Sequence, residues 1–119
     1  MAKTTARDFS IFKKAFMHWY HKFGLNSWKI YFMHEYKEGL AASCYSNPTG
    51  CVATITLSTD WEDNAVTGEE LWKTARHEAL ELVLARLVCD AEYRFVSQDD
   101  ITESSHIAIR TLESVLPLK

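Results

Sequence analysis

The chain contains no run of apolar residues near the roughly 20 needed to cross a bilayer, so no membrane-spanning helix is expected. Its first residues, Met-Ala-Lys-Thr-Thr-Ala-Arg-Asp, lack the apolar centre of a secretory signal, which points to the cytoplasm. Cysteines are few and odd in number: Cys44, Cys51 and Cys89, with no Cys-x-x-Cys pair. That excludes a full disulfide framework and a four-cysteine zinc site. Cys44 and Cys51 flank a turn and could face each other, but reduced thiols are the expected state. A basic run is also missing. Lys13, Lys14, Lys22 and Lys29 are scattered, and the net charge is −3. Nucleic-acid binding, which needs a concentrated positive surface, is not expected; only the lysine- and aromatic-rich N-terminal segment speaks for it. With 4 glycines and 2 prolines the chain shows no linker, repeat or low-complexity tract, and residues 1–119 are expected to form one domain.

What is present is an ordinary globular composition, 47% apolar and 24% charged. At this length about two-thirds of the unfolded surface can be buried, enough for a core without staples. Phe9, Phe12, Phe16, Trp19, Tyr20 and Phe23 recur at three- and four-residue spacings, which predicts an amphipathic helix over Asp8–Phe23, stopped by Gly24. Trp28–Met33, Leu40–Tyr45 and Cys51–Ser58 read as strands, the last two joined by the turn Ser46-Asn47-Pro48-Thr49-Gly50. Short connections suggest a three-stranded antiparallel sheet with the last strand central or on an edge. After a polar loop, Thr59–Gly68, comes a long helix over Glu69–Leu87 with acids in its first turn. An irregular stretch, Val88–Val96, leads to a final helix over Asp99–Val115. Ser97 and Asp100 form the pattern of its N-terminal cap. The fold class is α+β.

The chemistry concentrates in His77-Glu78-Ala79-Leu80-Glu81. Residues four apart on a helix stack on one face, so His77 and Glu81 can hold one divalent ion from a single rigid element. Glu78 points roughly 100° around the axis and can act on an activated water without being a ligand, as in the His-Glu-x-x-His motif. Leu71, Ala75, Leu82 and Ala85 share the stripe of Glu78, while Leu84 and Val88 continue that of His77 and Glu81. Carboxylates set into an apolar surface are costly to bury without a partner. A His–Glu hydrogen bond that merely orders the core is the plain alternative. A third ligand would decide for a metal, and the last helix offers Glu103 and His106 on one face, with Ile109 beside His106. Three protein ligands and one open position are the arrangement of catalytic zinc sites. His18 and His21 are a weaker pair, and His34 ends a strand.

This order of elements, with His77-Glu78-x-x-Glu81 and a closing helix bearing Glu103 and His106, resembles the small zincin-like proteins of phages and prophages, minimal relatives of the zincin metallopeptidases that include the SprT-like group. The resemblance implies a minimal zincin-like fold in which the strand Cys51–Ser58 takes the place of the edge strand that pairs with an extended substrate. It implies zinc, or another divalent metal such as manganese, held by His77, Glu81 and His106, with Glu103 in reserve and Glu78 as general base. Glu81 stands where the motif has its second histidine, which lowers the charge of the centre and weakens it as a Lewis acid. Two functions follow as expectations. One is a zinc-dependent, peptidase-like hydrolase acting on peptide or protein in the cytoplasm of a host cell. The other is a non-catalytic binding protein with a structural or degenerate metal site on the same scaffold.

Overall fold

The chain enters its first helix, α1 (Ala6–Lys22), through a capping box, seen in the computed structural model, which describes residues 2–92 and 97–118. Thr5 Oγ1 accepts from the Asp8 backbone N–H at 3.1 Å, and the Thr5 N–H donates to Asp8 Oδ2 at 2.9 Å. Phe12, Ala15, Phe16 and Trp19 are buried along one stripe. Phe16 meets Phe32 of the sheet edge-on, ring centroids 5.6 Å apart. Gly24, at φ +70°, lets the chain leave the helix in a left-handed conformation.

Three strands follow: β1 (Lys29–His34), β2 (Ala42–Asn47) and β3 (Val52–Leu57). The sheet is mixed rather than the antiparallel one expected from short connections. Its order is β1-β3-β2, with β3 parallel to β1 and antiparallel to β2. The segment 35–41 is too long for a tight hairpin and carries the chain past one strand position. β3 fills that gap. Ala53, Ile55, Thr56 and Leu57 of β3 are all buried, so this strand gains most from the centre. It therefore cannot be the edge strand that the zincin resemblance implied; the edges are β1 and β2. The β2–β3 turn is closed by Asn47 Oδ1, which accepts from the Gly50 N–H at 3.3 Å. Cys51 sits in this turn, and Cys44 is paired in register with Ile55, so the two cysteines do not face each other. All three cysteines are free.

The second helix, α2 (Gly68–Glu92), starts where Thr67 Oγ1 accepts from the Glu70 N–H at 3.1 Å. It runs past the expected end at Leu87, because Val88–Glu92 offers neither glycine nor proline to stop it. The rest of the expected irregular stretch, residues 93–96, lies outside the described residues. α3 (Gln98–Val115) is capped by Ser97, whose Oγ accepts from the Asp100 N–H at 3.2 Å. α2 packs against α1, β2 and α3. Among the described residues no helix is long and apolar enough to cross a membrane.

Candidate metal centre

The surroundings of α2 divide its side chains. Leu71, Ala75, Ala79 and Leu82 are buried in the main core with Phe12, Phe16, Trp19, Ile55 and Leu57. His77 and Glu81, on the stripe about 100° away, look into a cavity of about 500 Å³ between α2, α3 and the segment running from Gly39 into β2. A second hollow of about 360 Å³ adjoins it, sharing Cys44, Glu81 and His106.

α3 brings His106 to this place. Its Nε2 donates to Glu81 Oε1 at 2.9 Å. His77 Nε2 stands 3.8 Å from the same oxygen, an ion pair rather than a hydrogen bond. One ligand atom from each of His77, Glu81 and His106 lies within 4.8 Å of the others, the one such group among the described residues. Tetrahedral zinc, with bonds of about 2.0–2.1 Å, places neighbouring ligand atoms ~3.3 Å apart. The two distances at Glu81 bracket that figure, and two nitrogens with one carboxylate oxygen are a zinc-type donor set. These residues can hold a metal ion.

The electrostatics agree with a site made for positive charge. Burial raises the Glu81 carboxyl, but its contacts with His77 and His106 outweigh that and hold it below its ordinary value. The Glu81 carboxylate in turn raises His77 to about 9, against the opposing effect of burial, with the charges of Glu78 and Glu113 adding. Without an ion, a proton on His77 thus supplies the counter-charge.

Glu78 is different. It is 4% exposed, and burial, followed by the charge of Glu81, holds its carboxyl well above the ordinary carboxylate range. Its Oε2 has no hydrogen-bond partner among the described residues, although the side chain lines the cavity. This unpaired oxygen lies beside the three converging ligand atoms. Cys44 also faces this region. Burial, then the charges of Glu78 and Glu81, push its thiol well up, so without an ion it stays protonated.

No protein-family model, curated protein or solved structure matches the chain. The zincin resemblance therefore rests on His77, Glu78, Glu81, His106 and the order of the elements alone.

Of the predicted residues, His77, Glu81 and His106 come together, with Glu78 at their side. Glu103 does not: it is exposed and lines neither hollow. His18 packs its ring on Trp19 and Trp72, and His34 bonds Thr4 through Nε2 at 2.6 Å. Two residues were missed. Glu113 Oε1 lies 3.4 Å from His77 Nδ1. Arg76, 6% exposed, donates from Nη1 to the carbonyls of Leu116 and Pro117, each at 3.0 Å, and from Nη2 to that of Glu113 at 3.3 Å. Glu113 could have been found, since it follows His106 by seven residues, two helical turns, on the same face. Arg76 acts through backbone carbonyls and leaves no pattern in the sequence.

Proposed function

We propose that this protein binds one zinc ion through His77, Glu81 and His106 and hydrolyses peptide bonds with Glu78 as general base. The observation that carries this reading is the convergence of three ligand atoms from two helices within 4.8 Å, beside a buried carboxyl with an unpaired oxygen. Zinc held there would polarise a substrate carbonyl and lower the pKa of a water near it. The rest falls to the chain. Glu78, with its carboxyl raised by burial, is the group beside the centre that would accept a proton at Oε2 and return it. Glu81 is kept ionised and so available as a ligand. Cys44 of β2 lines the cavity together with Glu78 and Glu81, and β2 is an edge strand. An extended peptide laid along that edge would pass its carbonyl groups over the centre.

A second reading keeps the metal and drops the chemistry. Glu78 is so deeply buried that a substrate has little approach to it, and a carboxylate ligand softens the Lewis acid. The chain would then be a binding protein whose metal ties α3 to α2.

Elemental analysis of the purified protein separates these readings from a metal-free fold. About one equivalent of zinc is expected, lost in His77→Ala and in His106→Ala. Absence of stoichiometric metal in the wild type would sink both. Glu78→Gln should keep the zinc and abolish turnover of an unstructured protein substrate. If the wild type holds zinc, melts lower after chelation and cleaves nothing, the binding protein stands and the hydrolase falls.

A further inference from the structure

Among the described residues, two neighbours on α2 hold the same residue of α3. Arg76 grips the Glu113 backbone carbonyl at 3.3 Å, and His77 meets the Glu113 carboxylate through Nδ1 at 3.4 Å. Arg76 also takes the carbonyls of the C-cap residue Leu116 and of Pro117 beyond it, while the Glu113 carbonyl is among those a helix end leaves without internal partners. The guanidinium therefore works as a C-terminal cap supplied by another helix, and it fixes α3 against α2 one residue away from the metal-site histidine.

Glu113 lies on the wrong side of His77 to share its ion. The two ring nitrogens point to nearly opposite edges of the imidazole. Nε2 faces Glu81 and the converging group, while Nδ1 faces Glu113. A carboxylate on the far edge cannot enter the same coordination sphere. It can do something else. A metal-bound histidine must present one nitrogen bare and keep its proton on the other, and a carboxylate accepting that other proton fixes both the tautomer and the ring's rotation.

We propose that Glu113 is the positioning residue of this centre: its carboxylate accepts the Nδ1–H of His77 and turns Nε2 toward Glu81 and His106, while Arg76 holds the Glu113 backbone in place. The hydrogen bond itself is independent of any metal; its consequence for affinity rests on the zinc reading given above. His106 lacks an equivalent partner in the described contacts, its Nε2 meeting only Glu81. The two histidines are therefore unequal, and His77 is the preorganised one.

Three substitutions separate positioning from charge. Glu113→Gln keeps length and an acceptor oxygen but loses the charge. Glu113→Asp keeps the charge but falls short of Nδ1 by one methylene. Glu113→Ala loses both. Zinc affinity is read by competition with a chromophoric chelator, and the His77 ring by long-range proton–nitrogen spectra of metal-free and zinc-loaded protein, with a thermal melt to confirm folding. The expected order is that Gln stays within several-fold of wild type and retains a slowly exchanging Nδ1 proton. Asp and Ala should lose that proton and bind zinc roughly 10–100-fold more weakly. The reverse order, Asp like wild type and Gln like Ala, would make the residue a mere counter-charge and overturn the proposal, as would zinc on Nδ1 of His77. Should Ala fail to fold, the Gln–Asp pair decides alone. Should the wild type bind no zinc, the metal reading falls, and the Nδ1 proton in the metal-free variants still decides the role of Glu113.

Discussion

Two stripes of α2, roughly 100° apart, are held by different kinds of force. Leu71, Ala75 and Leu82 lie at 0–1% exposure against α1 and the sheet, and any well-shaped apolar neighbour satisfies them. His77 and Glu81 are satisfied only by particular atoms at particular distances: His106 Nε2 at 2.9 Å from Glu81 and Glu113 Oε1 at 3.4 Å from His77. Glu78 belongs by spacing to the dry stripe and by chemistry to the wet one, which is why its carboxyl is pushed so far up. The dry stripe sets how stable the helix is in place; the wet one sets what it can hold. The first tolerates approximation, and the second does not.

The largest effect should come from the dry stripe. Leu71→Ala removes a fully buried side chain about one and two-thirds turns before His77 and should cost about 2–5 kcal/mol. Urea unfolding measures it. If the stripes are independent, the folded variant binds zinc as wild type does. A matching loss of affinity in folded protein would show that the dry side tunes the site and would erase the distinction.

Arg76→Ala should have a smaller effect on stability and a larger one on the site. Removing a charged donor from three carbonyls should cost about 2 kcal/mol, since water can reach the frayed end of α3 and replace part of what is lost. Zinc affinity, in contrast, should fall by about as much as in Glu113→Ala, because α3 carries both His106 and Glu113. Unchanged affinity with the stability loss alone would reduce Arg76 to a helix cap.

Much of the fold was legible because its signals are local. The aromatic stripe of α1, the Asn47–Gly50 turn and the Ser97 cap each depend on residues within a few positions of one another. The strand order was not legible, since parallel pairing of β1 with β3 depends on where segment 35–41 carries the chain, and no local pattern encodes that. The same divide runs through the site. His77 and Glu81 could be read from a four-residue spacing. That His106 rather than Glu103 joins them depends on the rotation of α3 about its axis, and the Arg76 contacts that tie α3 to α2 go to backbone groups that look alike in every sequence.

The smallest effect, in pH, bears most directly on whether the wet stripe is built for a cation. His77, raised to about 9 chiefly by Glu81, binds its proton more tightly folded than unfolded. Its contribution to the metal-free protein is complete below its ordinary 6.5 and disappears as pH rises through about 9. Glu78 works in the same direction: its carboxyl is raised by burial, so its contribution is complete below its ordinary 4.5 and is lost as pH rises above that. Glu81, held low, does the opposite at the acid end: its contribution is present above the ordinary carboxylate range and is lost as pH falls. Metal-free stability should therefore decline on both sides of mildly acidic pH. If zinc binds as proposed, it should reverse the alkaline limb, since His77 must be neutral to bind and deprotonation then favours the complex. Unfolding followed from pH 6 to 9 with and without zinc should give two curves that diverge with rising pH. Parallel curves would mean that the ion does not take the place of the His77 proton, and the pairing of His77 with Glu81 would revert to an internal salt bridge.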